Sequence, residues 1–263
     1  MTLRRYASPI LSLAVALSLI AAACGGSGSS DSTTTSSSTT TSTTTATSST
    51  TTSTIVATTT STLPTTTTTT LPGLPFERGP APGDVLAVVG VSFDSVLNLR
   101  SGPGTDFEVL KKLAPRADRV ISNGRAQDLP NSLWYEVTAS GVTGWSSATY
   151  LAYLGTTDDI TADILVALGD ATEASSMEVL GERVAGTYPE EERRLRVSMS
   201  GAPSIGDLGE VIYDVIGFAD DSVYGVRLHV FGQATENSDG YILKSVEATS
   251  LCLRGVTDDR LCV

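Results

Sequence analysis

A long tract of serine and threonine limits how much of this chain can fold. Between Ser29 and Thr70, 35 of 42 residues are Ser or Thr. So few large apolar side chains cannot bury enough surface to offset the entropy lost on ordering the backbone. Without this tract and the N-terminal segment about 185 residues remain, enough for one or two small domains. We therefore expect a disordered Ser/Thr/Pro-rich linker over residues 24–80, followed by the folded part.

The start of the chain has the layout of an export signal. Arg4 and Arg5 precede an apolar run from Ile10 to Ala23. This run has 14 residues, which is fewer than the roughly 17–25 that cross a bilayer. A cleaved signal peptide over residues 1–23 therefore fits better than an uncleaved membrane anchor.

The residues at the expected cleavage site indicate how the mature protein is held. Ala21-Ala22-Ala23-Cys24 resembles the lipobox of bacterial lipoproteins. The resemblance implies that Cys24 is lipidated and becomes the first residue, which anchors an exported protein at the outer face of the cell membrane or in the cell wall. The alternative is plain cleavage, which would leave an exposed thiol that is easily oxidised.

Charge is distributed unevenly over the part of the chain that can fold. Residues 84–154 carry six basic and seven acidic side chains, whereas residues 158–263 carry eight basic and twenty acidic ones. The formal net charge of the whole chain is −12. Because an acidic surface repels the phosphates of nucleic acids, we expect no DNA or RNA partner.

Two further cysteines lie close together at the C-terminus. Cys252 and Cys262 have nine residues between them, and in an exported chain such a pair predicts a disulfide. Closing so short a loop contributes about 2–3 kcal/mol to stability. A zinc site is the alternative, but two thiolates without neighbouring histidines or further cysteines make a poor zinc site. We expect neither a metal nor another cofactor.

Short alternating apolar runs separated by turn residues begin at Asp84. The runs within residues 84–154 are DVLAVVGV, VLNLRSG, EVLKKL, DRVISNG, SLWYEV and VTGWSSATYL. Alternation with period two indicates strands, and Asn123-Gly124 predicts a tight turn at the end of one of them. Five or so short strands in about 70 residues indicate a small β-barrel.

The segment from Leu86 to Leu154 resembles the bacterial Src-homology-3 (SH3b) domains. The resemblance rests on LNLRSGPGT at 97–105, Val109-Leu110, WYEV at 134–137, Gly144-Trp145 and Tyr150-Leu151. It implies an SH3-like barrel and a role in binding rather than in catalysis. Such domains often accompany cell-wall enzymes, and some bind peptidoglycan or its peptides.

Arg100 stands where a strand gives way to a turn rich in glycine. Two roles are open for it. In the first, its guanidinium stacks on an aromatic ring or caps carbonyl groups of the turn. In the second, which the resemblance suggests, Arg100 borders a ligand groove together with Trp134, Tyr135 and Trp145. These four residues are the candidate ligand-binding residues.

Residues 158–263 predict a second, α+β domain with an antiparallel sheet, in which we recognise no family. The first part of this segment has helical spacing in two stretches, DDITADILVALGDAT and SSMEVLGERVAGTY. Ser175 or Ser176 is the expected cap of the second helix. Four strand-like runs follow: RRLRVSMS, GEVIYDVIGF, SVYGVRLHVFG and GYILKSVEATSLCL. Asp239-Gly240 before the last run indicates a hairpin. The expected fold class is therefore mainly β, with an SH3-like barrel followed by this domain.

The sequence offers little for catalysis. His229 is the only histidine and lies inside a strand-like run, whereas a cysteine peptidase or a zinc amidase needs further partners. Paired carboxylates could serve a glycosidase, and the candidates are Asp220-Asp221, Asp258-Asp259 and Glu190-Glu191-Glu192.

Three hypotheses for the function of the protein therefore stand. The leading one is a lipid-anchored envelope protein, not an enzyme, that binds peptidoglycan or an envelope protein. The others are a carboxylate-dependent wall hydrolase and a purely structural or interaction protein.

Overall fold

The computed structural model describes residues 70–188, 195–236 and 239–263. All of them belong to one compact unit of the chain, Thr65–Val263. The expected export signal, Cys24 and most of the predicted linker lie outside the described residues, as do the glutamates at 190–192. Within the described residues, no helix has both the length and the apolar composition needed to cross a membrane.

Antiparallel strands make up most of the described chain. The strands are β1 Leu74–Pro75, β2 Val85–Val88, β3 Leu97–Arg100, β4 Val109–Leu113, β5 Val120–Leu129, β6 Ser132–Ala139, β7 Val142–Ser147, β8 Leu151–Asp159, β9 Glu173–Ala174, β10 Arg196–Ser204, β11 Leu208–Ile216, β12 Val223–Ala234 and β13 Tyr241–Cys252. The helices are α1 Thr161–Leu168, α2 Met177–Ala185 and a 3-10 turn at Ala148–Tyr150. The prediction of a mainly β fold is confirmed.

The strands β2 to β7 and the start of β8 curl around one apolar core. Their order is β8-β2-β5-β6-β7-β3-β4. Alternation in the sequence directs the side chains: in β3, Leu97 and Leu99 are buried, whereas Asn98 and Arg100 are partly exposed. The core of this barrel includes Leu86, Val88, Leu97, Leu99, Leu113, Val120, Tyr135 and Val137.

The prediction of a tight turn at Asn123-Gly124 is wrong. Strand β5 continues through this pair, and the register with β6 shifts between Ser122 and Arg125. Gly124 has a φ of 75°, which either a hairpin turn or a bulge can use. Pairing with β6 selects the bulge, and the chain reverses later, between β5 and β6 at residues 130–131.

The second half of the chain forms an antiparallel meander with the order β10-β11-β12-β13. Helix α2 packs on this sheet through Met177, Leu180 and Val184, which share one apolar core with β11, β12 and β13. Ser176 caps α2 as expected, because its Oγ accepts a hydrogen bond from the Val179 amide at 3.3 Å. The predicted order of helices followed by an antiparallel sheet is therefore confirmed.

Strand β8 connects the barrel to the meander. Ala152 pairs with Ala87 in β2, whereas the next residue, Tyr153, pairs with Cys252 in β13. A small apolar cluster at this connection contains Val89, Ala152, Ile216 and Leu251. The predicted domain boundary at residues 154–158 lies within β8, and the division into two domains stays a prediction.

Candidate binding cleft

Arg100 holds the turn that follows β3. Its Nη1 donates hydrogen bonds to the carbonyl oxygens of Thr105 at 2.9 Å and Phe107 at 2.8 Å. Gly104 has a φ of 137°, which a residue with a Cβ rarely adopts. The guanidinium therefore caps carbonyl groups of the turn, which is the first of the two roles considered for Arg100. These hydrogen bonds also fix its orientation.

The same arginine also borders a cleft of about 530 Å³. The lining residues are Gly90, Val91, Ser92, Ser95, Val96, Leu97, Asn98, Arg100, Thr105, Ser132, Trp134, Ser147, Tyr150 and Ser198. Most come from the barrel, but Ser198 belongs to β10 in the meander. The cleft is therefore built by both halves of the described chain.

Trp134 lines the cleft from β6. It is 5% exposed, and its Nε1 donates a hydrogen bond to the Oγ of Ser132 at 2.9 Å. The indole is thus held by packing and by one hydrogen bond, and it gives the cleft an apolar, aromatic surface. Arg100 and Trp134 are the two sequence-predicted residues that the structure brings together in this cleft.

Tyr135 and Trp145 do not line the cleft. Successive residues of a strand point to opposite faces, so Tyr135, next to Trp134 in β6, enters the barrel core. Burial raises the pKa of Tyr135 to about 12. Trp145 is 2% exposed and lies beneath Arg125, whose guanidinium carbon is 5.4 Å from the centroid of the indole.

Most of the lining was not predicted from the sequence, and Tyr150 and Ser198 are two examples. Tyr150 comes from the 3-10 turn before β8, and the guanidinium carbon of Arg196 lies 5.8 Å from the centroid of its ring. Ser198 donates a hydrogen bond from Oγ to the carbonyl oxygen of Gly90 at 3.3 Å. Tyr150 lies in the Tyr150-Leu151 pair of the SH3b resemblance, so that pair could have marked it. No local signal could have placed β10 against the barrel, since Ser198 and Gly90 are 108 residues apart.

Arg100 is the one charged side chain among the described residues that line the cleft. It has no carboxylate partner among the described residues. The whole chain has a formal net charge of −12, and the excess of acidic side chains lies in residues 158–263. The cleft is therefore a local positive site on a negatively charged protein.

A buried ion pair behind the cleft fixes one of its walls. Asp214 is 0% exposed and Arg227 is 6% exposed, and Nε of Arg227 lies 2.7 Å from Oδ1 of Asp214. Asp214 Oδ2 also accepts a hydrogen bond from the Gly90 amide at 2.9 Å, while Arg227 Nη2 donates to the Val88 carbonyl at 2.8 Å. The meander thereby holds the barrel segment that leads into the cleft.

Gly90 suits this contact in two ways. Its φ is 64°, and a Cβ at this position would clash with the side chain of Ile216. A larger residue would therefore strain the backbone and force the buried Ile216 side chain to move.

The remaining candidate residues lie elsewhere. His229 is on β12, with Nδ1 3.3 Å from Oε1 of Glu210. Asp220 accepts hydrogen bonds from the backbone amides of Val223 and Ser222, which lower the pKa of its carboxyl, and Asp221 pairs with Arg254. The described residues contain no group of three or more His, Cys, Asp or Glu placed to hold a metal ion.

The predicted disulfide is confirmed, because Cys252 and Cys262 are joined. Cys252 is fully buried and belongs to the core of the barrel. Arg260, near the end of the chain, donates a hydrogen bond from Nη2 to the Leu154 carbonyl at 3.1 Å. The C-terminus is therefore fastened to the strand that connects the two halves.

Comparison with protein families identifies residues 95–152 as a bacterial SH3 domain. The resemblance stated from the sequence is thus confirmed for this part of the chain. Bacterial SH3 domains are binding modules, commonly associated with the cell wall and typical of extracellular proteins. No curated protein and no solved structure matched the chain.

Proposed function

We propose that this protein is an envelope lipoprotein whose SH3 domain binds peptidoglycan through the cleft that contains Arg100 and Trp134. The observation that carries the proposal is the position of this cleft on a domain type that commonly binds wall components. The barrel does not act alone in it, because Ser198 of the meander forms part of the lining.

The chemistry of the lining supports a polar, hydroxyl-bearing ligand. Serine hydroxyls donate and accept hydrogen bonds, and five serines line the cleft: Ser92, Ser95, Ser132, Ser147 and Ser198. The small accessible part of the Trp134 indole, which is 5% exposed, adds an apolar contact for a ligand. A site that mixes aromatic residues, here Trp134 and Tyr150, with several small polar groups is typical of ligand recognition.

The N-terminal segment supports attachment to the membrane. Lipidation at Cys24 would fix one end of the chain, and a flexible linker over residues 24–80 would reach about 40 Å from that point. The cleft could then contact wall material at a distance from the membrane surface. We propose the function as binding without catalysis, which agrees with the binding character of SH3 domains.

Co-sedimentation of the full chain, purified in detergent, with insoluble peptidoglycan tests the binding proposal. Ser95 is exposed and lines the cleft, so Ser95→Trp should fill the cleft without disturbing the core. Ser175 is exposed but does not line the cleft, so Ser175→Trp is the matched control. We expect the wild-type protein and the Ser175→Trp variant to sediment with peptidoglycan and the Ser95→Trp variant to remain in solution.

Other outcomes of the same assay would decide between the alternatives. Release of soluble wall fragments would favour a hydrolase that uses carboxylates. Neither binding nor release would favour a structural protein that contacts another envelope protein. Metabolic labelling with a fatty-acid analogue tests the anchor separately: we expect label in the wild-type protein and none in a Cys24→Ser variant.

A further inference from the structure

We propose that the cleft recognises a free carboxylate on the peptide side chains of peptidoglycan and that Arg100 is the residue that binds it. This inference rests on the proposed function and names the chemical group that the cleft selects. Three features of the described residues lead to it: the orientation of Arg100, the charge of the cleft and the hydroxyl groups around it.

The guanidinium of Arg100 is oriented before any ligand arrives. Nη1 is engaged by the carbonyls of Thr105 and Phe107, whereas Nε and Nη2 have no acceptor among the described residues. A guanidinium presents its N–H donors in a rigid plane that matches the two oxygens of a carboxylate. Because the turn already holds Nη1, less side-chain entropy is lost when a ligand binds Nε and Nη2.

The charge of the cleft favours an anionic ligand. Arg100 is partly buried, and no carboxylate of the described residues lies in the lining. A neutral sugar would remove water from the guanidinium without supplying a negative charge, which is unfavourable. A carboxylate supplies both the charge and the hydrogen-bond acceptors.

The meander and the 3-10 turn supply a further part of the cleft wall. Ser198 lies on β10 and Tyr150 on the 3-10 turn, and their hydroxyl groups can bond the polar groups that accompany the carboxylate. Arg196, stacked near the ring of Tyr150, adds a second positive charge next to this wall. The C-terminal half of the chain therefore has a role in ligand selection and not only in stability.

Chemical modification of the ligand tests the inference without altering the protein. Purified peptidoglycan is treated with a carbodiimide and ammonia, which converts free carboxylates to amides, and is compared with untreated peptidoglycan in the co-sedimentation assay. Loss of a charged hydrogen-bonded pair should weaken binding about tenfold or more. If only non-specific electrostatics acted, binding to amidated peptidoglycan would be stronger, because a protein with a net charge of −12 is repelled less by an amidated wall.

Variants of the protein assign the effect to Arg100. Arg100→Gln should remove the difference between the two wall preparations. Arg125→Gln is the matched control, because Arg125 is a barrel arginine that pairs with Glu136 and lies outside the cleft, and this variant should keep the difference. Thermal unfolding of each variant establishes that it is folded.

The possible outcomes separate the inference from the proposed function. If the wild-type protein binds both preparations equally, the carboxylate inference is overturned and wall binding stands. If it binds neither, both are overturned. If Arg125→Gln also removes the difference, or if a folded Arg100→Gln keeps it, Arg100 is not the residue that reads the carboxylate.

Discussion

Removing one partner of the buried pair Asp214–Arg227 should strongly destabilise this protein. Asp214 accepts hydrogen bonds from Arg227 Nε at 2.7 Å, Arg227 Nη2 at 2.9 Å, the Gly90 amide at 2.9 Å and Ser200 Oγ at 3.1 Å. Replacing Asp214 by Leu would leave the arginine charge buried without a counter-charge. Breaking a buried pair in this way costs about 3–5 kcal/mol.

This loss is large compared with the total stability of a typical domain, about 5–15 kcal/mol. The double replacement Asp214→Leu with Arg227→Met should be much milder, because no unpaired charge remains and apolar side chains fill a similar volume. We expect its stability to lie within about 2 kcal/mol of the wild-type value. The two substitutions should therefore be strongly non-additive.

Urea unfolding of the full chain, followed by circular dichroism, measures these differences. The midpoint should fall sharply for Asp214→Leu and recover in the double variant, with similar m-values throughout. If Asp214→Leu lowered the free energy of unfolding by less than about 1 kcal/mol, water or structural relaxation would be compensating the unpaired charge of Arg227. A double variant as unstable as the sum of the two single variants would also refute the reasoning.

Three further outcomes follow from the structure. Reduction of the disulfide, or Cys262→Ser, should lower the free energy of unfolding by about 2–3 kcal/mol, measured by urea unfolding with and without reductant. Gly90→Ala should destabilise the protein by more than about 1 kcal/mol, because of its positive φ and the clash with Ile216; an unchanged midpoint would contradict this. Burial raises the pKa values of Tyr135 and Tyr153, so their contribution to stability is complete below about pH 10 and is lost as the pH rises further. A titration followed by ultraviolet absorbance should therefore show that Tyr135 and Tyr153 ionise at a higher pH than ordinary tyrosines in the folded protein. In urea, which unfolds the protein, both should ionise at about pH 10.

The fold was predictable where local patterns dominate. The alternation of Leu97 and Leu99 places both in the barrel core, and the Ser176 cap marks the start of α2. The Asn123-Gly124 pair was misread as a turn, because the same positive φ also suits a bulge and the choice depends on pairing with β6. Local sequence carries no information about that pairing.

The candidate site was predictable only in part. Arg100 and Trp134 were identified through motifs that lie within the SH3 domain, and both line the cleft. Adjacent aromatic residues such as Trp134 and Tyr135 point to opposite faces of β6, but the sequence does not tell which of them faces the cleft. The contribution of Ser198 depends on packing between distant segments, which periodicity and turn signals do not encode.

A fluorescence titration tests the central claim, that the cleft binds wall material, most directly. The chain has two tryptophans, of which Trp134 lines the cleft and Trp145 does not. Soluble peptidoglycan fragments are added to a Trp145→Phe variant, in which Trp134 is the reporter, and to a Trp134→Phe variant, in which Trp145 is the reporter. We expect a saturable change of emission in the first variant and little change in the second. No change in the first variant, or an equal change in both, would contradict binding at this cleft.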